Sequence, residues 1–105
     1  MNIKVNWEKT CYLKIHRHGE EIVLALCDEE LLGKTIKEGN LRFNISEKFY
    51  KGEKVTLKEA ARYIEIATII NAVGENVIKM LVYHNEDILD AIIWLGKVPH
   101  VQLIK

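Results

Sequence analysis

The groups from which a small protein can build a proton-transfer or recognition site fall here at Asp28, Asn71 and His100, each near the end of a patterned stretch. Histidine is the commonest acid or base near neutral pH, and a carboxylate with an amide beside it could orient a substrate or share a proton. His100 and Gln102 alternate with Val101 and Leu103, so in a strand the first two point away from the core. Lys34 adds a solvated cation in a glycine-flanked stretch. Asp28, Lys34, Asn71, His100 and Gln102 are therefore the candidate binding residues. No motif positions a nucleophile, so catalytic residues stay unassigned.

Two further patterns invite chemistry that their spacing denies. Cys11, His16, His18 and Cys27 have the ligand types of zinc. If Gly19-Glu20 forms a turn, His16 faces Val23, and Cys27 lies four residues further on, roughly 13 Å away at about 3.3 Å per residue. Ligands about 2.0–2.3 Å from one ion cannot be so far apart, so no metal site is expected. Gly33-Lys34-Thr35 matches the end of a phosphate-binding loop, but the first glycine of that pattern falls at Asp28, whose carboxylate would repel phosphate. No cofactor is expected.

The elements that must position these residues begin with the longest patterned run, Thr56 to Gly74. At 100° steps Leu57, Ala60, Ala61, Ile64, Ala67, Thr68 and Asn71 share a stripe opposite Lys58, Glu59, Arg62 and Glu65, which predicts an amphipathic central helix. Thr56 with Glu59 has capping-box spacing, and Gly74 is placed to follow the helix end. Asn71, inside the apolar stripe, then needs hydrogen-bond partners. A second helix is predicted from Glu75 to about Tyr83.

Around these helices lie strands. Cys11–Arg17 and Glu21–Cys27 form a predicted hairpin about Gly19, and Ala91–Leu95 with Val98–Ile104 form another about Gly96-Lys97. Pro99 lacks an amide proton, which predicts an edge position for its strand. Between the hairpins, Asp28 can cap a short helix through Leu32, Lys34–Asn40 reads as loop, Leu41–Ile45 as a short strand, and Ser46 can start a helical turn carrying Phe49 and Tyr50. The order predicts an α+β fold: a mainly antiparallel sheet built from N- and C-terminal hairpins, with two consecutive helices packed on one face. Residues 1–10 read as an N-terminal arm or extension and 11–105 as a single globular domain.

Composition bounds the function. With 49% apolar and 29% charged residues the chain can build a core without staples. Fifteen basic residues balance fifteen acidic ones, so there is no global field for DNA or an anionic membrane. No apolar run approaches the roughly 20 residues that span a bilayer. Two cysteines without a secretory signal read as reduced thiols, which makes the expected compartment cytoplasmic.

The runs Tyr12-Leu13-Lys14-Ile15-His16-Arg17 and Cys27-Asp28-Glu29-Glu30-Leu31-Leu32-Gly33-Lys34 resemble the opening of an archaeal domain-of-unknown-function family, the one numbered 424. Phe49-Tyr50-Lys51-Gly52, Ala67 to Gly74 and Val98-Pro99-His100-Val101-Gln102 resemble its later segments, so the likeness covers about residues 11 to 105. The resemblance implies an archaeal cytoplasmic protein with a loose link to translation, and brings no activity, substrate or catalytic residue.

Two functional readings follow. The first is a small interaction module binding through a face that bears Asp28, Lys34, His100 and Gln102. A protein partner is favoured over RNA, because eight aromatics without basic interleaving make a poor stacking platform. The second is a small enzyme with a polar pocket formed by Asp28, Asn71 and His100. Ile66, Ile69 and Val73 on the far side of the central helix require cover, either from the Val77–Val82 segment or from a second subunit. A folded-back helix makes a monomer the favoured state and a homodimer the alternative.

Overall fold

The computed structural model describes residues 3–105; the first two residues of the expected arm lie outside it. In chain order its strands are β1 (Thr10–His18), β2 (Glu21–Asp28), β3 (Thr35–Glu38), β4 (Leu41–Asn44), β5 (Glu53–Thr56), β6 (Ile69–Val73), β7 (Ile93–Leu95) and β8 (Val98–Ile104). The α-helices are α1 (Glu47–Tyr50), α2 (Leu57–Ala60) and α3 (Glu75–His84), with short 3-10 turns at Glu29–Leu31, Ala61–Tyr63 and Glu86–Ala91. Six strands form one sheet in the order β5-β1-β2-β6-β8-β7, and β3 and β4 form a separate hairpin. Only the β2–β6 pair of the large sheet is parallel. The fold is thus α+β and mainly antiparallel, as expected.

The predicted hairpins are both present. β1 and β2 turn at Gly19-Glu20, where Gly19 has φ 58°, and the register sets His16 against Val23. β2 reads Ile-Val-Leu-Ala-Leu-Cys, apolar at nearly every position, because it is buried on both faces. On one face Cys11, Leu13, Leu24, Leu26, Ile70, Ala72 and Val101 pack beneath α2 and α3, whose Leu57, Ala60, Val77, Met80 and Leu81 complete the main core. Each large aliphatic side chain buried there stabilises the fold by about 1.5–3 kcal/mol. The opposite face carries a smaller core of Ala25, Cys27, Ile45, Tyr50 and Val73 beneath α1 and the β3–β4 hairpin.

The long central helix is not formed. α2 ends after one turn, a 3-10 turn follows to Tyr63, and Ile69–Val73 is a central strand. The expected start is present: Thr56 Oγ1 accepts from the Glu59 N–H at 3.2 Å, and the Glu59 carboxylate accepts from the Thr56 N–H at 3.2 Å. What ended the helix is the β-branched content of Ile64, Ile66, Thr68, Ile69, Ile70 and Val73. A strand buried on both faces reads as a continuous apolar run, and in a short window it mimics a helical stripe. The far side of a helix, for which Ile69 and Val73 required cover, therefore does not exist.

Three smaller expectations are also corrected. Lys34–Asn40 is not a loop throughout, because Thr35–Glu38 pairs with Leu41–Asn44 across a two-residue turn. Asp28 makes no side-chain cap on the Glu29–Leu31 turn; its carboxylate is committed elsewhere. Pro99 lies in an internal strand, not an edge strand. Its missing N–H costs nothing there, because β6 has ended opposite it. Gly74 donates its N–H to the Pro99 carbonyl at 3.0 Å, while the Gly74 carbonyl accepts from Ile78 N–H at 3.1 Å and so begins α3.

The described part of the N-terminal arm is attached to the domain. Ile3, Val5 and Trp7 pack against the main core, Leu57 N–H donates to Lys9 O at 2.8 Å, and Trp7 meets Tyr83 edge-on at 5.2 Å. No helix among the described residues is long and apolar enough to cross a membrane.

Gly74 is the tightest point of the fold. Its φ is 120°, and an added Cβ would lie 2.3 Å from Asp28 Cγ and 2.6 Å from Asp28 Cβ. Both the dihedral and the contact reject a side chain, so Gly74→Ala is expected to cost about 3 kcal/mol or more. Urea unfolding reads this directly, and a loss below about 1 kcal/mol would contradict the packing described.

Candidate functional site

The register of the large sheet lays the face opposite α2 and α3 out in rows. One row crosses Lys54, Tyr12, Cys27, Val73, His100 and Ile93. The next crosses Lys14, Ala25, Asn71 and Gln102, and a third crosses His16, Val23, Ile69 and Ile104. α1 and the β3–β4 hairpin cover the middle of the first row and Ala25, where the small core sits. The third row is left open: His16, Val23 and Ile69 are half-buried, and Ile104 is 76% exposed.

Polar groups border this open strip. The buried hydroxyl of Tyr50, the last residue of α1, donates to Asn71 Oδ1 and so orients that amide. Burial pushes the Tyr50 phenol well above its ordinary range, with the nearby Cys27 adding to the shift, so it keeps the proton that it donates to Asn71. His100 Nδ1 lies 2.9 Å from Ala72 O and, facing a carbonyl, must carry the proton; neutral Nε2 is then an acceptor. The ring is half-buried against Phe43, with centroids 5.6 Å apart. At the other end of the strip His16 Nε2 lies 2.8 Å from Phe49 O, and its ring stacks on Phe49 at 4.7 Å. Lys14 Nζ donates to Lys48 O at 2.7 Å. Gln102 is exposed.

Asn71, His100 and Gln102 therefore share one face. Asp28 does not join them: it lies on the α3 side of the sheet, opposite Cys11, and is 2% exposed. Its Oδ1 accepts from Val77 N–H at 2.9 Å, and its Oδ2 accepts from Asn76 N–H at 2.9 Å and Asn76 Nδ2 at 3.2 Å. It caps α3, the part a side chain at the N-cap position would play if Gly74 had one. Burial raises the Asp28 pKa above the ordinary carboxylate value, partly offset by those two backbone amides. Lys34 stands apart as well, exposed between Gly33 and β3, with its backbone bonded to Leu31 O and Ile45 N–H.

Cys11 and Cys27 point to opposite faces of the sheet and are free. Burial, with Asp28 nearby, pushes both thiols up to about 12, so neither is an activated nucleophile. Among the described residues no three His, Cys, Asp or Glu side chains are grouped to hold a metal ion. The open strip can bind through apolar contact and neutral hydrogen bonds. The Tyr50–Asn71 bond had a signal in the sequence, an asparagine inside an apolar run; the His16–Phe49 stack had none, because its partners are far apart in the chain.

These features define a small α+β protein whose sheet is half covered on the face opposite α2 and α3. The chain belongs to the DUF424 family, described as proteins of unknown function, whose model matches residues 16–105. It is similar to an uncharacterized conserved protein from Methanopyrus kandleri of known crystal structure, with 39% identity over 90% of each chain and a TM-score of 0.78. No curated protein matches it.

Two outcomes follow from the geometry. Asp28→Ala leaves two buried amides at the start of α3 without an acceptor, and is expected to cost about 2–4 kcal/mol in chemical denaturation. A change under about 1 kcal/mol would show that the cap is dispensable. His100 has its pKa lowered from 6.5 by burial, with the bond to Ala72 O acting the other way. The unfolded chain then binds the proton more readily, so the stability His100 contributes is present above 6.5 and is lost as pH falls below it. Melting temperatures from about pH 8 down to about pH 5 should decline less steeply for His100→Gln than for wild type. Equal slopes would remove His100 as the cause.

Proposed function

We propose that the protein is a small intracellular interaction module that binds a protein partner through the open strip of its sheet, the row His16–Val23–Ile69–Ile104 with Asn71, Gln102 and His100 beside it. The observation that carries this reading is the half-covered face: α1 and the β3–β4 hairpin bury one part, while the in-register row beside it is left partly open, with Ile104 76% exposed. A partly exposed, mainly apolar strip rimmed by hydrogen-bonding groups, with Lys14 already bonded to Lys48 O at one end, suits a protein surface. RNA is less well served, because Phe49, the ring nearest the strip, is already stacked on His16, and no basic track runs along the row. Free, buried cysteines agree with a reducing compartment, and the Methanopyrus relative agrees with an archaeal setting.

An enzyme built on Asp28, Asn71 and His100 has against it the burial of Asp28 under α3, on the other side of the sheet. The test is capture from a lysate of the organism of origin, with mass spectrometry and RNA sequencing on the same eluate. Wild type should retain a discrete protein that an Ile104→Glu, Gln102→Ala variant of unchanged melting temperature loses by tenfold or more. Retention of the same protein by the variant, or recovery of nuclease-sensitive RNA in its place, would overturn the reading.

A further inference from the structure

Beyond the His16 end of the open strip, β1 and α1 border a hollow of about 320 Å³ lined by Lys14, His16, Ser46, Lys48 and Phe49. No carboxylate lines it. Acids that adjoin it in chain or register are turned elsewhere: Glu47 lies beside Gly33, Glu53 stands opposite Leu13 and so on the α2 side of the sheet, and Glu21 accepts from Thr68 Oγ1 at 2.8 Å. The ion pairs formed among the described residues are Lys54–Glu29 and Lys79–Glu75. Lys14 and Lys48 therefore share one hollow without a counter-charge.

The end of α1 holds the donors in place. Its last carbonyls are taken up in turn: Glu47 O accepts from Lys51 N–H at 2.8 Å, Lys48 O accepts from Lys14 Nζ at 2.7 Å, and His16 Nε2 lies 2.8 Å from Phe49 O. Lys14 is thereby fixed with one of its three protons used, and two are left to donate. Ser46 Oγ accepts from Phe49 N–H at 3.2 Å, so its own proton is free as well. The His16 and Phe49 rings, stacked at 4.7 Å, give the hollow a flat wall. Ordering these groups beforehand lowers the entropy that binding must give up.

The charge and the type of donor identify the ligand class. A phosphate monoester carries about −1.5 to −2 charges at pH 7, which matches two ammonium groups, whereas a carboxylate carries one charge and is better held by the planar fork of arginine. No arginine lines the hollow. Two lysines without a basic track also suit a single phosphoryl group better than a nucleic-acid backbone. We propose that this hollow binds the phosphoryl group of a phosphate monoester, with Lys14, Lys48 and the Ser46 hydroxyl donating to its oxygens and the attached organic part lying along the His16–Phe49 wall. A phosphorylated small molecule and a phosphorylated side chain share this chemistry. The site needs no protein partner and does not rest on the reading above.

Amide chemical shifts in NMR spectra test it, with glycerol phosphate, a short phosphoserine peptide and the same peptide unphosphorylated titrated at constant ionic strength. Saturable shifts centred on Lys14, Ser46 and Lys48 are expected with a phosphorylated ligand by about 10 mM. Lys48→Ala should weaken that binding about tenfold, Lys48→Arg should largely retain it, and Lys34→Ala, at a lysine outside the hollow, should leave it unchanged. Whichever phosphorylated ligand binds more tightly names the source, and either result supports the site. No saturation by either of them, equal shifts with the unphosphorylated peptide, or equal weakening by Lys34→Ala overturns it. Lys48 is exposed and its side chain bonds to nothing among the described residues, so melting temperatures of its variants should match wild type and the comparison stands without disturbing α1.

Discussion

The Asp28 carboxylate at the end of β2 reaches across to the first amides of α3, and it can do so only because Gly74 has no side chain to stand between them. This one contact joins three elements. It ties the end of β2 to the residue where β6 stops, and it sets the direction in which α3 leaves the sheet to lie over Leu24, Leu26 and Ile70. The carboxylate is taken out of water, which raises its pKa, and the helix amides return part of what solvation supplied. Pro99 completes the junction. By making no demand on the Gly74 carbonyl it leaves that oxygen free to accept the first bond of α3.

How far this arrangement could be read from the sequence depended on how local its causes are. The β1–β2 register follows from one glycine between an alternating run and a nearly all-apolar one, and it sets His16 against Val23. The Thr56–Glu59 box likewise needs only four residues. β6 could not be recognised this way. Its apolar pattern is that of a strand covered on both faces, and the cover comes from α3 on one side and from α1 with the β3–β4 hairpin on the other. The β-branched run from Ile64 to Val73 was the available signal, and the helical stripe outweighed it because the capping box beside it was real.

The candidate residues separate along the same line. Asn71, His100 and Gln102 share a face because of strand parity, with Asn71 in β6 and not in the helix its apolar stripe predicts. Asp28 was singled out as a polar residue at an element end, and that is what it is; the end it serves belongs to α3, 48 residues away, not to the turn that follows it. A buried cap and an exposed ligand-binding acid look alike in a sequence, since both are carboxylates beside a glycine-bearing segment. Burial separates them, and burial is a tertiary property.

A sheet of six strands with two unequal covers leaves two kinds of surface, and they differ in what they can recognise. The open row of the face offers side chains, with its backbone already used in the ladders to β2, β6 and β8. What that row presents is the shape and polarity of Ile104, Ile69, Asn71 and Gln102. The β7 edge offers backbone as well, so that whatever joins it must be a strand of set direction and register.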